Sequence, residues 1–268
     1  MKADLHNHSK YSDGLYSVSD LLKIAKMHNV DVMALTDHDS TYGCMKAIIE
    51  GEKLGITVIP GIELSTRYKG ESVHIIGLFK NNYIPSEIKN IADEIKAFRV
   101  KRAINMMNNI KNIFNVKMDI DEFLKGKDVI TRGNMFSHLL EYNPNIPREE
   151  ISKMIANDSP AYIESARFNT KEGIEFLKKN NCLTIYAHPT LSSQAIVEDV
   201  IKFGVDAIEY KYPKNKAGDM ERYMELAKKY NLLLSAGSDF HGDSNHAMIG
   251  TSYLDYLEFG KIMEALKW

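Results

Sequence analysis

Short apolar runs alternate with amphipathic segments through the first 80 residues of the chain. Residues 2–6 read as a strand. Ser17 then stands as a helix N-cap, with Asp20 three positions on in the capping-box place. Leu21, Leu22, Ile24, Ala25 and Met27 follow as an apolar stripe at helical spacing. Residues 30–35 predict a second strand, 42–54 a helix, 56–59 a third strand ending near Gly61-Ile62-Glu63, and 73–79 a fourth with His74 inside it. From 85 to 160 the alternation lapses. Ile88, Ile91, Ile95, Phe98 and Arg102 keep helical spacing, and Asn143-Pro144-Asn145 with Pro147 marks a turn. This block predicts a helical insertion over the mouth of a barrel formed by residues 1–84 and 161–268. The pattern then resumes as helix 170–180, strand 182–186, helix 193–203, strand 205–209, helix 216–230 and strand 232–236. Seven strand candidates alternating with helices predict an α/β barrel one strand short of eight.

Composition narrows the function more than the fold. A formal net charge of −2 over 268 residues gives no extended nucleic-acid surface, though a local basic patch for a phosphorylated ligand stays open. No apolar run reaches the roughly 20 residues that span a bilayer. Cys44 and Cys182 lack a C-x-x-C spacing, and no signal peptide is evident. A reduced, cytoplasmic setting and no membrane partner are the expectation.

The chemistry lies at the strand ends. Asp4-Leu5-His6-Asn7-His8, Thr36-Asp37-His38-Asp39, Ala187-His188-Pro189 and Gly237-Ser238-Asp239-Phe240-His241 each follow an apolar run, and Glu63 and His74 join them. In an H-x-H on extended chain both imidazoles point to one side, so they can share a cation. Six of the nine histidines occupy these places; His28, His138 and His246 do not and read as ordinary structural histidines. All but His74 sit at or just past the C-terminal end of a strand, where barrel enzymes place their sites. Mixed imidazole and carboxylate donors suit Mn, Fe or Zn better than Mg or Ca.

Taken in order, Asp4-Leu5-His6-x-His8-Ser9, Ser12-Asp13-Gly14, Ala34-x-Thr36-Asp37-His38-Asp39, Gly61-x-Glu63, His74, Ala187-His188-Pro189 and Ser238-Asp239-x-His241 resemble the polymerase and histidinol phosphatase (PHP) superfamily. The resemblance covers nearly the whole chain. It implies a distorted (β/α)7 TIM-like barrel with three divalent ions and hydrolysis of a phosphate ester by a metal-bound hydroxide. His6, His8, Glu63 and Asp239 would hold the first ion. Glu63 would bridge to a second, shared with His74 and His188, while Asp13, His38 and His241 would hold the third. Asp4, Asp37 and Asp39 would orient ligand imidazoles. Asp39, His241 and a metal-bound water are the candidates for protonating the leaving group.

Within the superfamily, Ser12-Asp13-Gly14 and the insertion look most like stand-alone phosphoesterases acting on nucleoside 3′,5′-bisphosphates or short oligonucleotides. Those relatives carry an Arg-Pro-His string where this chain reads Thr131-Arg132-Gly133-Asn134. Arg132 is the first candidate for a phosphate clamp, since a guanidinium fork matches phosphate oxygens; Arg99, Arg102 and Lys211 follow. The alternatives are a histidinol phosphatase or other small-molecule phosphomonoesterase, a non-catalytic PHP module, and an amidohydrolase. An amidohydrolase would need a metal-bridging lysine at a strand end, for which Lys211 is the candidate.

Overall fold

The computed structural model describes residues 1–125, 130, 132–163 and 167–267. They form two compact units, Met1–Ala92 with Ala166–Trp268, and Asp93–Ser165.

The first unit is built on a sheet in the order β1-β2-β3-β4-β6-β7-β8. Its strands are β1 (Ala3–Asp4), β2 (Val32–Leu35), β3 (Thr57–Tyr68), β4 (Glu71–Phe79), β5 (Phe168–Asn169), β6 (Cys182–Tyr186), β7 (Ala207–Lys211) and β8 (Leu233–Ala236). β5 pairs only with β3, off the main path. The barrel closes where the Leu5 N–H donates to the Ala236 carbonyl at 3.0 Å and Asn7 bridges Phe240 in parallel. β1–β2–β3 and β6–β7–β8 are parallel runs. β4 is antiparallel to both neighbours, pairing Ser65 with His74 and Ile75 with Tyr186.

The reversal of β4 comes from a tight hairpin. Tyr68 pairs with Glu71 across Lys69 and Gly70, whose φ values of 47° and 82° are both left-handed. Two such residues make the primed turn whose twist matches paired strands. β3 therefore runs on to Tyr68, well past the 56–59 expected, because β4 folds back along it. The reversal also accounts for His74. It lies early in β4, and in a reversed strand that is the end where the other strands finish. Its place among the ligands is thus the rule and not an exception.

Helices cover the sheet: α1 (Val18–Met27), α2 (Cys44–Leu54), α7 (Thr170–Lys179), α8 (Gln194–Lys202), α9 (Asp219–Tyr230) and α10 (Tyr256–Leu266). α1 starts as its sequence predicts, Ser17 Oγ accepting from the Asp20 N–H at 3.2 Å. Its stripe of Leu21, Leu22 and Ala25 packs against Met33, Leu35, Ala47 and Val58 in a fully apolar core. Each large side chain so buried contributes roughly 1.5–3 kcal/mol.

The second unit is helical among its described residues, with α4 (Ile120–Leu124), α5 (Arg132–Tyr142) and α6 (Arg148–Met154) beside the later part of α3 (Ser86–Phe114). Met106, Met107, Ile110, Phe123, Met135 and Leu139 are the centre of its own core. The division falls at 92/93 and 165/166, where the sequence suggested 84/85 and 160/161. α3 is one uninterrupted helix through the first of these points, and helical periodicity carries no mark of a unit boundary inside a helix. Thr131 lies outside the described residues.

Candidate metal centre

Nine sequence-selected side chains converge at the C-terminal end of the parallel strands. His6 and His8 follow β1, His38 follows β2, Glu63 lies in β3 and His74 in β4. His188 follows β6, and Asp239 and His241 follow β8. Asp13 reaches in from the loop after His8. His38 forms a parallel bridge with Glu63, and the Asp239 N–H donates to the His6 carbonyl at 2.9 Å, so neighbouring strand ends lock one another.

His6, His8, Glu63 and Asp239 offer four donor atoms to one point. His6 Nε2 lies 3.1 Å from His8 Nε2, 3.3 Å from Glu63 Oε2 and 3.4 Å from Asp239 Oδ1. His8 Nε2 is 3.2 Å from both carboxylates. Donors about 2.1 Å from a shared cation are spaced by about 3.0 Å in an octahedral shell and about 3.4 Å in a tetrahedral one. The observed edges fall in that interval. Glu63 turns its other oxygen, Oε1, to His74 Nδ1 at 3.1 Å and His188 Nε2 at 3.0 Å. One carboxylate thus faces two sets of imidazoles. A further group gathers Asp13, His38 and His241 beside His8, with His241 Nε2 3.2 Å from Asp13 Oδ1.

Three atoms in this cluster are buried without a hydrogen bond: Asp13 Oδ1, His38 Nδ1 and Glu63 Oε2. His38 Nδ1 and Glu63 Oε2 approach to 2.9 Å yet are not aligned as donor and acceptor. Buried polar atoms are expensive unless satisfied. Donor atoms aimed at common points, and not at each other, fit a divalent metal.

In the metal-free protein the same cluster holds charge as protons. Burial alone would depress the His8 imidazole, but Asp239 and Glu63 against its Nε2 push its pKa up to about 10. His6 and His74 are also raised against burial, chiefly by Glu63. Glu63 and Asp239 move the other way: burial would lift them, and the surrounding imidazoles hold them well below the carboxylate range. Divalent ions bind neutral imidazoles, so loading the site displaces these protons.

Two supports of the centre are absent from the motif strings. Glu209, buried in β7, accepts from His6 Nδ1 at 3.2 Å and from the His188 backbone N–H at 2.7 Å. Tyr212 donates to Asp239 Oδ2 at 3.0 Å, which leaves Oδ1 for the two histidines. The signal for Glu209 was a charge inside the apolar run Ala207-Ile208-Glu209-Tyr210, since an acid is buried in a strand only with partners. Three residues of the site sit in left-handed backbone: Asp39 at φ 52°, His188 at 30° and Asp239 at 51°. Non-glycine residues held there cost about 1–3 kcal/mol each and concentrate at functional sites.

Some expected roles shift. Asp4 binds backbone, accepting from the N–H groups of Ser238 at 3.0 Å and Gly250 at 2.7 Å. Asp37 accepts from the Ser9 N–H and the Ser12 hydroxyl, each at 2.7 Å. Asp39 takes the Ser65 N–H at 2.8 Å. These bonds fix the ligand-bearing loops. Among the described residues the imidazoles are held by Glu209 on His6, the Ser12 hydroxyl 3.4 Å from His8 Nδ1, the Ser72 hydroxyl 3.2 Å from His74 Nε2, and the Asp239 carbonyl 2.8 Å from His241 Nδ1. The donors to the buried strand-end oxygens include backbone N–H groups with the Ser9, Ser12 and Asn7 side chains, pairings that a ligand motif does not display. Lys211 is held by both Glu258 oxygens at 2.7 Å, with Tyr210 on the same carboxylate. Partial burial would lower its pKa, but Glu258 raises it, so Lys211 is an ammonium paired with that carboxylate.

The basic candidates lie in the second unit. Arg132 Nη1 donates to Asn157 Oδ1 at 2.6 Å. Arg102 is almost fully buried, with Nε on the Ile163 carbonyl at 2.7 Å and Nη2 without a hydrogen-bond partner among the described residues. Burial lowers its pKa, and the charges of Arg132 and Arg99 lower it further.

A PHP domain model matches residues 4–237. The chain belongs to the PHP domain family. It is a metal-dependent phosphoesterase, and so a hydrolase. Among its relatives, a 5′-3′ exoribonuclease of Haemophilus influenzae is 27% identical over 252 residues, 90% of each chain. A phosphoribosyl 1,2-cyclic phosphate 1,2-diphosphodiesterase of Eggerthella lenta is 26% identical, covering 90% of this chain and 95% of that one. A 3′,5′-nucleoside bisphosphate phosphatase of Chromobacterium violaceum is 26% identical, covering 89% and 86%. The solved structure of a protein from Bifidobacterium adolescentis, designated a metal-dependent phosphoesterase, superposes with a TM-score of 0.82 over 98% of this PHP chain and 96% of its own, at 23% identity. At that identity it speaks for the fold, a distorted TIM-like barrel. No described helix is long and apolar enough to cross a membrane.

Proposed function

We propose that this PHP protein removes the 3′-phosphate of a nucleoside 3′,5′-bisphosphate, or trims short oligonucleotides, using three divalent ions. The observation that carries the reading is Glu63, whose Oε2 meets His6 and His8 while its Oε1 meets His74 and His188. A carboxylate so divided is suited to bridge two ions. His6, His8, Glu63 and Asp239 hold the first; Glu63, His74 and His188 the second; Asp13, His38 and His241 the third. Mn, Fe and Zn all suit these donors. When bound, such ions lower the pKa of a coordinated water to near neutrality and neutralise phosphate oxygens.

The chain's own residues set the rest. Tyr212 and Glu209 hold Asp239 and His6 in register, so the donors need not rearrange as the ester reacts. His241 holds Nδ1 against the Asp239 carbonyl and turns Nε2 to the third donor group beside Asp13. That favours Asp39 as the group that protonates the leaving alkoxide. Arg132 is the clamp for a non-reacting phosphate, with Arg99 and Arg102 as its neighbours in charge.

The test is release of phosphate, or of mononucleotide from oligonucleotides, with Mn²⁺ on nucleoside 3′,5′-bisphosphates, nucleoside monophosphates, histidinol phosphate, a simple aryl phosphate, a ribose cyclic phosphate and short oligonucleotides. The bisphosphate or the oligonucleotide should lead. Equal rates on the bisphosphate and a simple aryl phosphate would end the nucleotide reading, and release from histidinol phosphate alone would move the assignment there.

A further inference from the structure

We propose that His246 is an additional ligand of the third ion, supplied by the loop that follows β8. The inference rests on the three-ion reading above and concerns a histidine that lies outside every ligand string in the sequence. The chain turns immediately after His241 at Gly242, where φ is 83° and a Cβ would fall 2.4 Å from the Tyr16 ring. Only glycine fits there. The turn brings His246 back onto His241, their rings stacked 3.9 Å apart at 22°. Asp239, His241 and His246 then offer donor atoms that all lie within 4.8 Å of one another.

The loop is built to hold that ring. Asp243 Oδ1 accepts from the Asn245 N–H at 2.9 Å, the His246 N–H at 3.0 Å and His246 Nδ1 at 2.8 Å. Nδ1 is therefore committed to a carboxylate, and Nε2 is the nitrogen with a lone pair to give. A carboxylate on one imidazole nitrogen and a metal on the other is the arrangement that orients ligand histidines. The third group has a use for such a donor. His8 already turns its Nε2 to the first group, 3.2 Å from Glu63 and Asp239, which leaves Asp13, His38 and His241. Three protein donors would leave half of an octahedral shell open, and His246 comes to that group through His241, with which it shares a donor set.

The experiment is metal binding. Wild type, His246→Gln and Asp243→Asn are stripped with chelator, dialysed against graded free Mn²⁺ and assayed for bound metal per chain. The visible spectrum of the Co²⁺-loaded forms reports the coordination, and circular dichroism reports the fold. Three ions should bind the wild type. In His246→Gln the weakest should lose at least about tenfold in affinity with a changed Co²⁺ spectrum, while the other two hold theirs; Asp243→Asn should show a smaller loss. Three ions of unchanged affinity and spectrum in folded His246→Gln would overturn the assignment of His246 alone. A wild type that saturates at two ions would overturn the three-ion reading, and this inference with it.

Discussion

Glu209 and His6, 203 positions apart in the chain, meet inside the barrel with Glu209 Oε1 3.2 Å from His6 Nδ1. The second Glu209 oxygen accepts from the His188 N–H at 2.7 Å, so one buried carboxylate aligns a ligand of the first metal group and the backbone of a ligand of the second. Glu209→Gln keeps the volume but presents an amide NH₂ to one of two donors. Metal affinity should fall by about 10–100-fold, the usual loss when the partner of a ligand histidine is removed. Titration of stripped protein with Zn²⁺ or Mn²⁺ measures it. Unchanged affinity would mean that His6 is oriented by its other neighbours.

Gly237 tests how tightly that contact is enclosed. A Cβ there would lie 2.2 Å from His6 Cβ and 2.8 Å from both His6 N and Glu209 Oε1. Backbone and a buried carboxylate cannot both yield. Gly237→Ala should therefore cost at least about 1–3 kcal/mol in stability, the range for overpacking a filled core, and should lose metal as well. Denaturant unfolding with and without metal separates the two effects.

The contrast between Glu209 and His74 shows what could be read from the chain. The H-x-H pair and Asp239-x-His241 are local, since a spacing of two along extended chain puts their side chains on one side. His74 was legible as a donor from its residue type, and only the family resemblance put it beside Glu63 and His188. Its position depends on the direction of β4, which is set by the Lys69-Gly70 turn and not by any hydrophobic period. Glu209 belongs to no string, and its role exists only once β7 lies beside β6 and β8. Helical periodicity marked the 85–160 block, but the interior of α3 cannot show where one core ends and another begins.

Metal loading should release protons. In the metal-free protein the His8 pKa stands near 10, above its ordinary 6.5, and His6 and His74 are raised too. At pH 7 the His8 ring carries a proton that a metal must displace, so apparent affinity should rise with pH through neutrality. The stability sign is the opposite. A histidine pKa raised by folding stabilises fully below 6.5, and that contribution is lost as pH climbs toward 10. Calorimetry of Mn²⁺ binding in buffers of different ionisation enthalpy should show net proton release at pH 7. Zero release would contradict the protonated cluster.

Hydrolysis should proceed by direct attack of water. Neither cysteine can serve as a nucleophile, because burial pushes both Cys44 and Cys182 up to about 12. Cys44 Sγ also points at the Gly61 carbonyl, 3.3 Å away. A chiral, isotopically labelled phosphate ester should thus be cleaved with inversion at phosphorus. Retention would require a covalent phosphoenzyme.

Substrate choice should depend on Arg132. If the guanidinium holds a second, non-reacting phosphate, the energy of that contact speeds the reaction to the extent that it is realised in the transition state. Nucleoside 3′,5′-bisphosphate should then exceed the 3′-monophosphate in kcat/KM. Arg132→Ala should narrow the gap by roughly 1–3 kcal/mol, the size of a hydrogen bond to a charged group. Because Arg132 Nη1 is fixed by Asn157 at 2.6 Å, Asn157→Ala should narrow it by less and in the same direction. The kcat/KM ratio of the two substrates, measured with wild type and both variants at saturating Mn²⁺, checks this. A ratio that Arg132→Ala leaves unchanged would remove Arg132 from the phosphate pocket and turn attention to Arg102, whose buried Nη2 has no hydrogen-bond partner among the described residues.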